Sequence, residues 1–249
     1  MPPTLLITGA SRGIGRATAL LAGSRGWSIG VNYLSNGSLA AETVSAIQSS
    51  GGRAVALQGD MAVEADVQRV FDAMESAFGP LDGVVVNAGV TAPITTLAEM
   101  SAERLKKVFD TNVLGAYLCA REAARRLPSD SPDAGDKSIV FVSSAAARLG
   151  SPNEFVDYAG SKGAVDTLTV GLSKELGPKK VRVNGVRPGI IRTDIHAASG
   201  DAGRVERLGG AAPLRRAGEA EEVAEAIVWL ASLAASYVTG SIIDVAGGR

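Results

Sequence analysis

The sequence predicts a single-domain α/β fold, with a doubly wound, mostly parallel seven-stranded sheet flanked by helices. Three observations point there. Seven short apolar runs recur along the chain, longer segments of helical composition and spacing separate them, and the runs are continuous rather than alternating with polar residues. Strands of that kind are buried on both faces, as when helices cover both sides of a parallel sheet. Strands alternating with helices build such a sheet, and its ligands lie at the carboxyl ends of the strands.

The strands are read at residues 5–7, 28–33, 54–57, 84–86, 139–142, 181–186 and 242–245. Helices are read at 13–25, 38–50, 63–78, 101–127, 157–176 and 219–233. Residues 129–137 form a polar, turn-rich connector. Residues 188–213 form a second irregular stretch with five glycines, read either as a lid or as a surface loop.

Composition narrows the function classes. The 249 residues are 46% hydrophobic and 20% charged, with a net charge of -1, so a large core is expected and no basic field is present. Nucleic acid is therefore not an expected partner, because its binding draws on clustered positive charge. The chain opens directly into an apolar strand, and no apolar run nears the ~20 residues of a spanning helix. A soluble, cytoplasmic protein without membrane contact is the expectation. Cys119 is the only cysteine and lies in an apolar helical stretch, which reads as inert packing. His196 is the only histidine, so no metal site is expected; it reads as a loop residue or a substrate contact.

The first strand runs through Thr8-Gly9-Ala10-Ser11-Arg12-Gly13-Ile14-Gly15 straight into a helix. Glycines allow a tight turn and a close backbone approach to pyrophosphate, and the helix start attracts the anion. The G-x-x-x-G-x-G spacing differs from the general dinucleotide pattern, but its place between the first strand and first helix supports the same reading. Gly9, Ser11, Arg12, Gly13, Ile14 and Gly15 are the expected cradle.

The second strand ends Val31-Asn32-Tyr33-Leu34-Ser35, with no carboxylate to accept from a ribose 2′-hydroxyl or to repel a 2′-phosphate. With Arg12 as a phosphate partner and Asn32, Tyr33 and Ser35 around the ribose, NADP(H) is the expected cofactor and NAD(H) the alternative. Asp60, followed by Met61, is read as an adenine contact or as a helix N-cap.

Tyr158 and Lys162 stand four residues apart, hence on one face of a helix. A free phenol has a pKa near ~10 and carries protons poorly at neutral pH unless positive charge stabilises the phenolate. Lys162 and an oxidised nicotinamide ring would both supply such charge. In Asp110-Thr111-Asn112-Val113, Asn112 interrupts a long helical pattern, and Ser143-Ser144 follows the fifth strand. Asn87-Ala88-Gly89 follows the fourth strand, and Pro188-Gly189 the sixth.

In this order, and over nearly the whole chain, these motifs resemble the classical short-chain dehydrogenases/reductases (SDR), a Rossmann-fold family. The resemblance implies an NADP-dependent oxidoreductase with Asn112, Ser144, Tyr158 and Lys162 as its catalytic set. Ser144 would hydrogen-bond the substrate oxygen, with Ser143 as the alternative because Ser144 precedes Tyr158 by fourteen residues, one more than in many relatives. Tyr158 would pass the proton, and Lys162 would lower its pKa and hold the nicotinamide ribose. Asn112 would hold a water linking Lys162 to solvent, or would simply kink the helix.

Asn87, Ala88, Gly89, Pro188, Gly189, Ile191 and Thr193 would complete the cofactor site. The cofactor half would span about residues 1–135 and the catalytic half about 136–249, with a lid at about 190–212 containing Ile195, His196, Arg204 and Arg207. The substrate would be a small carbonyl compound or alcohol, as in 3-oxoacyl thioester reductases and glucose dehydrogenase-like members. A homo-oligomer, tetramer or dimer, would form through helices 101–127 and 157–176 and the C-terminal strand. A catalytically silent dinucleotide-binding sensor is the rival reading. The intact proton-transfer set argues against it, and the short chain disfavours epimerase or dehydratase chemistry.

Overall fold

The computed structural model describes residues 3–128, 136–193, 201 and 203–249. Its strands are β1 (Thr4–Ile7), β2 (Ser28–Tyr33), β3 (Arg53–Gln58), β4 (Gly83–Val86), β5 (Lys137–Val142), β6 (Val181–Pro188) and β7 (Ile242–Val245). They form one sheet in the order β3-β2-β1-β4-β5-β6-β7, and every pairing is parallel. The strands stand where the apolar runs place them, and the sheet is wholly rather than mostly parallel.

Continuous burial has the cause inferred from the sequence. On one face, Leu5, Ile7, Val140 and Val142 pack with residues of α1 (Gly13–Ser24), α2 (Gly37–Ser49) and α9 (Ala220–Ala231). On the other, Leu6, Ile139 and Phe141 pack with α3 (Glu64–Phe78), α5 (Gly115–Arg126) and α7 (Val156–Leu176). Neighbouring residues of a strand thus enter opposite cores, so the runs are mostly apolar, and buried polar residues on them such as Asn32, Arg182 and Asn184 are hydrogen-bonded.

Three features depart from the sequence reading. The helix expected over 101–127 is α4 (Ala102–Phe109) and α5 joined by a π turn at Asp110–Leu114. Part of the stretch read as irregular over 188–213 is a helix, α8 (Arg204–Gly210), whose brevity and flanking glycines hid its pattern. A short helix, α6 (Ala146–Leu149), follows β5 and ends at Gly150 in the left-handed region. Most of the 129–137 connector, and Asp194, Ile195 and His196 of the expected lid, lie outside the described residues.

Cys119 packs against Met61, and burial pushes its thiol up to about 12, as expected of an inert core residue. Among the described residues no helix is long and apolar enough to cross a membrane.

Candidate active site

The strand order reverses between β1 and β4, and a cleft of about 470 Å³ opens at the carboxyl ends of the strands there. All the expected cofactor and catalytic residues line it except Gly15 and Asn112. Among the described residues, the segments after β1, β2, β3, β4, β5 and β6 all contribute to its wall, together with the start of α7.

Hydrogen bonds stretch the glycine loop into shape from both sides. From β4, the Asn87 amide donates to the carbonyls of Thr8 (2.9 Å) and Gly9 (3.0 Å), while the Thr8 hydroxyl accepts from the N–H groups of Asn87 and Ala88. From β2, Asn32 accepts from Gly9 N–H at 3.1 Å and donates to the carbonyls of Leu57 and Gly59. Asn32 is only 1% exposed and its amide is spent on these bonds, so it braces the loop rather than offering groups to a ribose. Gly15 has a packing role too. A Cβ there would fall 2.5 Å from the Gly9 carbonyl oxygen and 2.6 Å from Asn87 Nδ2, so only glycine lets α1 start this close to the loop.

The ribose end of the cleft is open. Tyr33, Leu34, Ser35 and Asn36 line it and none is acidic. Asn36 caps α2 by accepting from Leu39 N–H. Arg12 is exposed in the cleft wall, and its guanidinium forms no ion pair among the described residues. Asp60 accepts from Ala62 N–H in a turn before α3, whose N-cap is Val63; Asp60 is therefore not the N-cap. Across the cleft, Thr193 stands where it would touch a Cβ on Gly13, and Gly189 passes so close to Ala246 that a Cβ would overlap it.

Lys162 is 4% exposed, and its Nζ donates to the Val142 carbonyl at the end of β5 at 2.8 Å. The same Nζ lies 5.7 Å from the centre of the Tyr158 ring, one turn earlier on α7. Ser143 turns inward and donates to the Lys162 carbonyl at 3.2 Å. Ser144 faces the cleft, accepts from Ala146 N–H and hydrogen-bonds with Tyr158. Of the two serines, Ser144 is therefore the one directed at the tyrosine.

Asn112, 1% exposed, holds the Val90 backbone through both its oxygen and its amide, and donates to Ser161 Oγ at 3.0 Å. Ser161 in turn donates to the Tyr158 carbonyl. The π turn is where this side chain leaves the helix to reach α7 and the segment after β4, which agrees with π-bulges at functional sites. The asparagine oxygen and Lys162 Nζ both face Gly89, each 3.3 Å from where a Cβ would stand.

A sequence model of a family described as "Enoyl-(Acyl carrier protein) reductase" matches residues 9–249. A "Short-chain type dehydrogenase/reductase" of Picea abies is 37% identical over 251 residues, covering 98% of this chain and 91% of the relative. The chain belongs to the short-chain dehydrogenase/reductase family. This short-chain dehydrogenase/reductase is 51% identical over 244 residues, 98% of each chain, to an "Uncharacterized oxidoreductase YgfF" of Escherichia coli strain K12. It also superposes on the crystal structure of a 3-ketoacyl-(acyl-carrier-protein) reductase from Brucella melitensis complexed with NADH. That match has a TM-score of 0.92 and 28% identity over 99% of this chain and 98% of the other. The chain is thus an oxidoreductase, a dehydrogenase or reductase of a fold that binds NAD(P)H.

Burial dominates the electrostatics of Tyr158 and Lys162 in this short-chain dehydrogenase/reductase. Burial raises the Tyr158 phenol above its ordinary value, and the hydrogen bond with Ser144 opposes it only in part. The net shift from these two influences is upward. Burial takes Lys162 from 10.5 down to about 8, against the pull of Asp166.

Two ion pairs that sequence reading missed hold the segment before the tyrosine. Arg104 makes two bonds to Asp157, at 2.8 and 3.2 Å, and Arg204 of α8 makes two to Glu154, both 2.6 Å, while lying over the Phe155 ring. No local pattern signals them, since the partners are 53 and 50 residues apart.

Burial alone would raise the Asp157 carboxyl, but the bonds from Arg104 and from backbone N–H groups take it below the ordinary 3.8. Such a group stabilises the fold above the ordinary carboxylate range, and that stability is lost as pH falls through the lowered value. Arg104→Met should cost about 3 kcal/mol near neutral pH and flatten the acid side of the stability profile. Thermal melts of both proteins across pH check this; an unchanged acid slope would remove Asp157 as its source.

Proposed function

We propose that the chain is an NADP(H)-dependent oxidoreductase that moves hydride between nicotinamide and a small carbonyl compound or alcohol, with Tyr158 as general acid/base. The observation that carries this reading is the convergence of Ser144, Tyr158 and Lys162 on the cleft wall opposite a braced glycine loop. A dinucleotide-binding sensor would need the loop but no buried phenol–ammonium pair, and this favours the enzyme.

The residues present fit the cofactor. Gly9 and Gly13 have φ of 63° and 55°, conformations that leave the loop backbone bare for a pyrophosphate at the start of α1. The neutral ribose end, Arg12 without an ion pair among the described residues, and the N-terminus of α2 suit a 2′-phosphate better than a carboxylate-bound hydroxyl. When bound, the nicotinamide supplies or accepts the hydride and, in its oxidised form, adds a positive charge.

The chain's own residues do the rest. Ser144 binds the substrate oxygen, and Tyr158 donates its phenolic proton to that oxygen in reduction or takes it in oxidation. The Lys162 ammonium holds a ribose and stabilises the phenolate. A water between the Asn112 oxygen, which keeps a second lone pair, and Lys162 at Gly89 would return the proton to solvent. On the substrate side, Leu149, Phe155 and Ile190 offer apolar surface, and Arg204 of α8, paired with Glu154, also lines the cleft. Exposed Phe109 of α4, Leu114 of the π turn, Tyr117 of α5 and Val170 of α7 support association into an oligomer.

Reduction of a carbonyl panel, followed by NADPH absorbance, should be lost in Tyr158→Phe while NADPH still binds; surviving turnover would sink the assignment. Because Lys162 keeps its proton only below about 8, the wild-type reduction rate should fall as pH rises through that value. In binding titrations, Arg12→Gln should weaken NADPH roughly tenfold, about 1.5 kcal/mol, and leave NADH nearly unchanged. Equal losses for both would place Arg12 on the pyrophosphate instead.

A further inference from the structure

One turn beyond Lys162 on α7 stands Asp166, so Tyr158, Lys162 and Asp166 follow one another at intervals of four along a single helix face. Tyr158 and Lys162 line the cleft and Asp166 does not, so it is placed to touch neither substrate nor cofactor. One of its oxygens accepts from Arg187 Nε of β6 at 2.9 Å. The other, Oδ1, is buried with no hydrogen-bond partner among the described residues. An unpaired carboxylate oxygen in the interior is costly unless a nearby charge uses it.

The acid belongs to a ladder of alternating charge under the site. Arg187 also reaches Asp244 of β7 at 3.6 Å, and Asp244 meets Arg148 of α6 at 3.1 Å. Arg187 thereby fixes the side chain of Asp166, and Asp244 draws on Arg187 from its other side. Around Lys162, β5 presents the Val142 carbonyl, the π turn presents the neutral Asn112, and α7 itself presents Tyr158 and Asp166. The Arg104–Asp157 pair at the start of α7 is self-neutralising. Asp166 is thus the negative charge on hand for the buried ammonium.

We propose that Asp166, oriented by Arg187, is a positioning residue that keeps Lys162 charged beneath the cleft. The inference rests on Lys162 acting as an ammonium in the proposed reaction. In physical terms, burial drives Lys162 down, and the attraction to Asp166, beside the bond to the Val142 carbonyl, opposes that. Arg187 has a second effect. By neutralising part of the acid it keeps the pair from becoming a closed salt bridge, which leaves Lys162 Nζ on the Val142 carbonyl and facing the cleft.

The test reads Lys162 itself rather than turnover. In protein labelled with ¹⁵N-lysine, the Nζ shift of Lys162, assigned with Lys162→Met, is followed against pH in wild type, Asp166→Asn and Asp166→Glu. The midpoint should fall by about one unit or more in Asp166→Asn and return toward wild type in Asp166→Glu. Far-ultraviolet circular dichroism and NADPH binding establish that each variant is folded. A midpoint unmoved in folded Asp166→Asn overturns the proposal. If Asp166→Asn does not fold, Arg187→Gln carries the test: releasing Asp166 should raise the midpoint, and a fall or no change overturns the proposal.

The pH dependence of carbonyl reduction separates this inference from the reaction it rests on. A shifted midpoint with an unshifted rate profile would support the pairing with Asp166 and count against Lys162 as the group that governs proton transfer.

Discussion

The bond from Lys162 Nζ to the Val142 carbonyl, 2.8 Å long and buried, is the constraint on which the site depends. An ammonium in that position cannot be left without acceptors, so α7 is held in one register against the end of β5. Ser143 repeats the tie in reverse by donating to the Lys162 carbonyl. With the register set, Tyr158 falls one turn earlier, beside Ser144, and Ser161 falls where Asn112 can reach it. The same burial lowers Lys162 to about 8 and raises Tyr158, so the geometry that aligns the groups also leaves them short of positive charge. In the proposed reaction, a bound oxidised cofactor would supply the remainder and so couple proton transfer to cofactor state.

The glycine loop obeys a similar logic with neutral groups. Its backbone must stay open to an anion, so its own hydrogen-bonding needs are met from behind by Thr8, Asn32 and Asn87. Gly15 lets these side chains and the start of α1 occupy nearly the same space. A rigid loop facing a rigid α7 across the strand ends presents a preformed site, in which binding energy is not spent on ordering the backbone. On the far side, α8 is fastened to the approach to Tyr158 by the Arg204–Glu154 pair.

Much of this was legible in the sequence, and the division has a physical basis. All seven strands were visible because a strand buried on both faces is apolar along most of its length. The site was visible because its motifs follow strands at fixed places, and Arg12, Tyr158 and Lys162 line the cleft as read. What stayed hidden depends on contacts between distant segments. Asn32 reads as a ribose neighbour until its amide is found spent on Gly9, Leu57 and Gly59. Residues 101–127 read as one helix because a π turn changes no residue type, only the path of Asn112. The raised Tyr158 phenol follows from desolvation, which residue spacing does not reveal.

The central claim is that one pocket passes hydride to a carbonyl carbon while Tyr158 protonates its oxygen. Reduction of a carbonyl substrate with NADPH deuterated at C4, with products read by mass spectrometry, tests it most directly. The account predicts one deuterium on the carbinol carbon, from a single face of C4, in wild type, and no labelled product from Tyr158→Phe. Label lost to solvent, or labelled product from Tyr158→Phe at the wild-type rate, would contradict it.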